Sequence, residues 1–436
     1  MKSDASAKVH RPVETVPGAA RISSSRDPRG SGTARDVSVD FIRSFCLVVV
    51  VALHALMVGV SIGPEGPVLE NALDGNPGFA SLSWLVQIMP LFFIAGGFSS
   101  ITQWRRMQLR GGTAGDYIRL RLLRLLVPAV VLVAVVGAAL LGMGVSGVPA
   151  EIVGTAGYRI SQPLWFLAVY LGCSVLVPLM AFAHGKARIR SLVGLGLAIA
   201  AVDSGRMLLE LPAFGYANLV FVWIFIQQLG FWLADGSMGR MFSAARKWAA
   251  GLSLMLMMYL FASGWYAGDM FSNLNPPTGA LALLAIAQLM IFSLAQKRIR
   301  WWAENPRARY LIEVVGSKAM TIYLWHMPVM VGLAGLLLVV PVHLPVPGSA
   351  DWWLGRPLWL LAVACLLLPL VRALGRFEQV KAASRPAFTY PRAVLSTVSG
   401  VVGVVVLLVD GITPVTAAAS VFLFCFALRG QLLLRK

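Results

Sequence analysis

Charge is scarce in this sequence. Of 436 residues, 13% are Asp, Glu, Lys or Arg, where soluble domains carry about 25%. With 58% hydrophobic residues and a mean hydropathy of +0.76, that scarcity excludes a soluble globular chain. Acidic residues are rarer still, 19 against 37 basic ones. The resulting +18 suggests nucleic acid, but the basic residues fall in every second loop, which marks membrane topology instead; no nucleic-acid partner is expected. Short alternating apolar segments are missing, which excludes a membrane β-barrel. Cysteines number only four, and Cys46, Cys173, Cys365 and Cys425 all sit in apolar runs without metal-ligand spacing. They read as small buried hydrophobes, with neither a disulfide framework nor a metal site expected. Residues 1–38 lack an apolar core, so they are expected to be a disordered cytoplasmic tail rather than a signal peptide or a domain. No loop is long enough for a soluble domain, and no internal repeat is visible.

What the chain does have is long apolar runs. They predict an all-α polytopic membrane protein, a bundle of about 10–12 transmembrane helices. Helices are expected at 41–62, 82–104, 122–143, 163–183, 190–203, 217–234, 247–266, 279–297, 317–340, 357–374, 395–409 and 412–428. The organisation is a tail (1–38), a main transmembrane domain (39–375), a basic cytoplasmic loop (376–394) and a C-terminal helical hairpin with a short tail (395–436). Arg105, Arg106, Arg110, Arg119, Arg121 and Arg124 follow the second run, whereas residues 63–81 hold no Lys or Arg. This bias predicts a multi-pass plasma-membrane protein with both termini in the cytoplasm.

Ionisable residues inside such runs draw attention. In VDFIRSFCLVVVVALHALMVGV, residues 39–60, Arg43 stands near the start and His54 lies deep inside. An intramembrane Arg costs about 2.5–3.5 kcal/mol on insertion scales. The Arg43–His54 spacing is three helical turns plus about 20°, so both face one side, about 16 Å apart along the axis. One face thus carries a cation at its cytoplasmic lip and an imidazole near mid-membrane. Asp40, one turn before Arg43, can pair with it. His54 also fits a second reading, as an interhelical hydrogen-bond donor, and Arg43 a second as a snorkelling anchor.

Three other stretches stand out. In PLFFIAGGFSS (90–100), Pro90 and Gly96–Gly97 fit either a helix broken beside a cavity or small-residue packing. In RLRLLRLLVP (119–128), Arg121 and Arg124 share a face with Arg119 slightly off it, as a phosphate clamp or a positive-inside stop. In TIYLWHMPV (321–329), His326 precedes Pro328 by two residues and lies near Tyr323. It can satisfy a proline kink or reach the cavity of His54.

In this order, these stretches resemble the acyltransferase 3 family of integral membrane acyltransferases. The matching residues are Asp40, Arg43 and His54, then LFFIAGGF, then Arg121, Arg124 and Pro128, then PLWFLAVY with Trp165, then Tyr323 to Pro328. The likeness covers roughly residues 36–375. It implies transfer of an acyl group, often acetyl, from cytoplasmic acyl-CoA to a hydroxyl of a glycan, sugar or small secreted metabolite, with Arg43 and His54 essential. Acyl-CoA would be a co-substrate, with no permanently bound cofactor. Three departures limit the carry-over. Tyr170 stands where one branch has a Glu, Gly96–Gly97 replaces the usual Ser-Gly, and the final two apolar segments lie outside the ten-helix core usual in the family. The expected mechanism has Arg119, Arg121 and Arg124 clamping the donor, with Asp40 and Arg43 supporting His54 as general base. Amides near Gly96–Gly97 would hold the oxyanion, and Trp165, Tyr170, Tyr323 and His326 would line the substrate cavity. An acyl-histidine route remains open. The rival reading is a transporter or flippase with His54 as a proton relay, and a sensor without turnover is a third. The outer-loop residues Trp265, Tyr266 and Asp269 and the turn SNLNPPTG at 272–279 fit either an acceptor rim or an aromatic belt.

Overall fold

The computed structural model describes residues 36–63, 66–73, 77–340, 344–378 and 388–429. Nearly all of the N-terminal tail, His10, His343 and much of the 376–394 loop lie outside them. The description below concerns the unit from Val37 onward.

The elements follow in order: α1 (Val37–Met57), β1 (Val58–Gly63), β2 (Gly66–Asn71), α2 (Pro77–Val86), α3 (Met89–Leu109), α4 (Ala114–Val145), α5 (Ala150–Ser161), α6 (Trp165–Leu208), α7 (Asn218–Ala234), α8 (Ser237–Arg240), α9 (Ser243–Ala262), α10 (Met270–Leu274), α11 (Gly279–Ala303), α12 (Pro306–Ser317), α13 (Ala319–Val339), α14 (Ala350–Leu374), α15 (Tyr390–Asp410) and α16 (Pro414–Ala427). Among the described residues, nine helical segments are long and apolar enough to cross a membrane. The chain is therefore an all-α polytopic membrane protein, and each of the twelve expected spans overlaps a helix, though not every one over its full length.

Local chemistry explains where these helices stop. The first span was expected to run to residue 62, but α1 ends at Met57 and β1 pairs antiparallel with β2. Val58, Val60 and Ile62 alternate with Gly59, Ser61 and Gly63, a two-residue period that suits a strand. The second span is interrupted at Gln87–Ile88. Pro90 lacks an N–H and its ring excludes the carbonyl four residues back, so α2 stops at Val86. Neighbours satisfy the break: Gln288 Nε2 donates to Gln87 O at 2.7 Å, and Gln87 Oε1 accepts from Met89 N at 3.3 Å. α4 starts from a capping box between Thr113 and Asp116.

The expected spans at 163–183 and 190–203 form one element, α6, broken only at Ala187 (φ −153°, ψ 59°). Both arms flank α7. On the first, Gln227 Nε2 reaches Cys173 O at 3.3 Å and Gln228 Nε2 reaches Met180 O at 3.1 Å. On the second, Asn218 Nδ2 reaches Asp203 Oδ1 at 2.9 Å. The first arm therefore runs parallel to α7 and the second antiparallel, so the chain reverses at Ala187.

α7 lies in the core, with Trp223 and Phe231 fully buried. Its approach to α3 requires glycine. A Cβ on Gly97 would lie 2.2 Å from Gln227 O, and one on Gly230 would lie 2.2 Å from Ile94 O. α3 is continuous through Gly96–Gly97. Of the two readings open for this pair, the structure shows small-residue packing, and the helix is not broken there.

α15 and α16 form the expected hairpin. Gly411 turns with φ +73°, and Thr413 and Thr416 make a capping box. Ile412 N donates to Gly157 O at 3.1 Å, tying the hairpin to α5. The cysteine expectation holds for Cys46 and Cys173, which are buried, but Cys365 and Cys425 are exposed on helix surfaces.

Candidate active site

α1 delivers His54 to a defined place. At its end Arg356 of α14 takes two carbonyls, donating to Ala55 O of the last turn at 3.4 Å and to Val58 O, the first of β1, at 3.1 Å. The Trp352 ring backs that guanidinium at 3.9 Å. Arg356 has no signal in the sequence beyond being a lone arginine in a basic-poor segment.

His54 meets His326 across the bundle. Their Nδ1 and Nε2 atoms lie 2.7 Å apart, and the rings stack with centroids 5.0 Å apart and a 6° tilt. His326 Nδ1 lies 2.5 Å from Tyr323 O. A carbonyl only accepts, so Nδ1 of His326 carries its proton there. In a neutral His326 the Nε2 is then bare and accepts from His54 Nδ1–H. The chain of bonds leaves His54 Nε2 without a proton. His326 thus bonds a carbonyl of its own turn and reaches the His54 ring, but its side chain lines neither of the cavities described below, so its expected place in the substrate-cavity wall is corrected: it stands behind His54. The turn is anchored twice more. Tyr323 OH donates to Pro163 O at 2.8 Å. Glu378 caps the start of α13, accepting from Thr321 N at 2.6 Å and from the Thr321 hydroxyl.

Two cavities share the His54 ring. The smaller, about 170 Å³, is also lined by Arg43, Arg121, Arg124, Trp165, Tyr170 and Tyr323. The larger, about 1010 Å³, carries Trp165 and, farther along, Tyr158, Gln162 and Tyr216. His54, Met57, Pro163, Trp165, Phe271 and Leu274 belong to both. The Arg43–His54 face read from helical spacing is therefore one wall of the smaller cavity.

The arginines differ from expectation. Arg119 and Arg121 are each only 6% exposed, so neither stands on a solvated surface. Arg121 donates to Tyr117 OH at 3.2 Å and Ser100 Oγ at 3.3 Å, and Tyr170 also hydrogen-bonds it. Tyr170, where a family branch has Glu, thus sits beside a guanidinium. Arg43, Arg121 and Arg124 all act electrostatically on Tyr170, and Arg124 is the one whose side chain stays exposed. Arg119 and Asp40 line neither cavity. Gly96 and Gly97 line neither as well. A Cβ on Gly96 would meet the Tyr170 ring at 3.4 Å and one on Gly97 the α7 backbone, so the sequence-based assignment of this pair to the substrate cavity is corrected.

Other polar groups are structural. His184 bonds Gln228 Oε1 at 3.0 Å and Asp235 Oδ2 at 2.6 Å, and Arg105 reaches Asp235 Oδ1 at 2.7 Å. Partial burial works against the Asp235 carboxylate, but the His184 and Arg105 hydrogen bonds outweigh it and hold the carboxyl below its usual range. At the far end of α7, Asp203 accepts from Tyr266 OH at 2.6 Å and Gly279 N at 2.8 Å. Burial and that neighbouring carboxylate push the Tyr266 phenol well above its ordinary value. Tyr266 is thereby withdrawn from the expected acceptor rim, and Asp269 caps α10. From the SNLNPPTG turn, Leu274 and Asn275 do line the larger cavity. Among the described residues, no three His, Cys, Asp or Glu side chains cluster as a metal site.

Fold and site together define a polytopic helical membrane protein with an imidazole pair inside the bundle, of which His54 opens to two chambers. Residues 36–376 match the family model described as an acyltransferase domain, the acyltransferase 3 type, and the chain belongs to that family. It is a membrane acyltransferase. No curated protein and no solved structure matches it.

Proposed function

We propose that this protein moves an acyl group, in the first instance acetyl, from cytoplasmic acyl-CoA to a hydroxyl of a glycan, sugar or secreted metabolite, with His54 as general base. One observation carries the reading: the unprotonated Nε2 belongs to the ring shared by an arginine-lined cavity and a large apolar one. The donor's phosphates suit the basic end, where Arg43 and Arg124 offer forked donors. Its thin pantetheine arm carries the thioester along the smaller cavity to His54. The acceptor approaches from the larger one.

His54 Nε2 takes the proton of the acceptor hydroxyl as that oxygen attacks the thioester carbonyl. The tetrahedral intermediate collapses, the C–S bond breaks, and the thiolate takes the proton back from His54. Ester and free thiol result, and protons balance. His326, accepting from His54 Nδ1–H, stabilises the transient imidazolium and fixes the tautomer. On this reading the protein spans the cell membrane with both termini and the arginine-lined end in the cytoplasm.

The test is thiol release by the purified full chain in lipid nanodiscs supplied with acetyl-CoA, with water entering the larger cavity as the surrogate acceptor hydroxyl. We expect release that His54→Ala lowers by about 10²–10⁴-fold. Equal release by His54→Ala would overturn the assignment of the base. A flippase or a sensor would release no thiol under any condition.

A further inference from the structure

We propose that the acceptor is an amphiphile that reaches His54 sideways from the bilayer, through a trough whose outer wall is α15. This rests on the acyl-transfer reading above and extends it to the class of the second substrate. The larger cavity, about 1010 Å³, lies at the upper end of what drug-sized ligands occupy. Its floor is α6 at Gly172, one wall is α7 at Val220, and the other is α15 at Val401, Val405 and Val409. Val220, Val405 and Val409 are 50%, 44% and 68% exposed. All three lie on apolar spans, so the medium at this mouth is hydrocarbon rather than water.

Polarity along the trough is one-sided. At the end where Tyr390 OH donates to Val175 O, the lining is Val175, Leu176 and Val401. At the opposite end, where Gly411 packs on the Tyr158 backbone, it holds Tyr158, Gln162 and Asn275. A ligand with an apolar body and a hydroxylated head matches that gradient and brings its head toward His54. A polar sugar alone would leave the valines facing nothing it can bury. α15 lies beyond the residues 36–376 that match the family. As a wall of this trough, the C-terminal hairpin acts as a specificity element.

Photolabelling tests the idea. The full chain, in phosphatidylcholine nanodiscs, receives dodecyl glucoside bearing a diazirine in its alkyl chain, and labelled peptides are mapped. We expect α15 peptides to label about tenfold above the lipid-facing Val415 and Phe422 of α16, with displacement by excess dodecyl glucoside and not by glucose. Val405→Trp or Gly172→Leu, which fill the wall and the floor, should cut that labelling about tenfold. Nothing lies within 4 Å of where a Gly172 Cβ would sit, so the second variant fills space without a clash. Val415→Trp should change nothing. Equal labelling of α15 and α16 would mean ordinary lipid contact and would overturn the proposal. So would a diazirine phosphatidylcholine that labels the trough and resists displacement. Labelling needs no thioester, so its failure leaves the thiol-release result standing, and the converse holds too.

Discussion

At the scale of single residues, the decisive feature is which nitrogen of His54 carries the proton. His326→Leu removes the acceptor at 2.7 Å and frees the His54 ring to adopt either tautomer. We expect kcat to fall by about tenfold to a hundredfold with KM for both substrates nearly unchanged, the mark of a positioning residue. His326→Gln supplies an amide oxygen in place of Nε2 and should recover part of that loss. Arg124→Ala, at the open side of the smaller cavity, should instead raise KM for the thioester, with kcat close to wild type. Steady-state kinetics in nanodiscs separate these cases. The residue scale is also where the sequence is most uneven. Arg43 and His54 declare their common face because both belong to one helix and the spacing is arithmetic. His184, Asp235 and Arg356 do not, because their meaning comes from partners elsewhere in the chain. Arg121 misleads for the same reason. Its helical neighbours suggest a surface clamp, while Ser100 and Tyr170 on other helices enclose it.

At the scale of elements, α7 is held by contact on one side and by charge at one end. Gly97→Ala puts a methyl 2.2 Å from the Gln227 carbonyl, whereas Gly96→Ala meets the Tyr170 ring at 3.4 Å. Overpacking of this kind costs about 1–3 kcal/mol. Gly97→Ala should therefore lower the melting temperature in detergent clearly more than Gly96→Ala. Asp235 pins α7 to the first arm of α6, and its carboxyl is held below the usual range. Such a group stabilises the fold fully above the ordinary carboxylate value of about 3.9 and loses that contribution as pH falls through its lower folded value. Asp235→Asn should melt earlier than wild type at neutral pH, and the gap should close in strong acid. Helix existence was legible because apolar runs of membrane length have few other solutions. The reversal at Ala187 was legible only as a gap between two expected spans. The β1–β2 ribbon was hidden because α1 and β1 form one uninterrupted apolar run, whose change of period is short. Gly96–Gly97 stays open between a break and packing in the sequence, because sequence alone does not reveal that another backbone lies against it.

At the scale of the whole molecule, helices far apart in sequence converge on a single ring. α1 supplies His54, α13 its partner, α4 the cations, and α6 the floor of the larger chamber. The family match covers residues 36–376, and α15 and α16 follow it in the chain. That division accounts for what sequence patterns could anticipate. The motifs pointed to the family, and none of them falls on α15 or α16.

The two chambers meeting at one ring also carry a consequence for the order of events. With the proposed base serving both substrates and no acyl-enzyme formed, donor and acceptor must be resident together before either reacts. Initial-rate lines drawn against reciprocal acceptor concentration should intersect at differing donor levels. Parallel lines would instead mean that the imidazole itself is acylated and that the first product departs before the second substrate arrives.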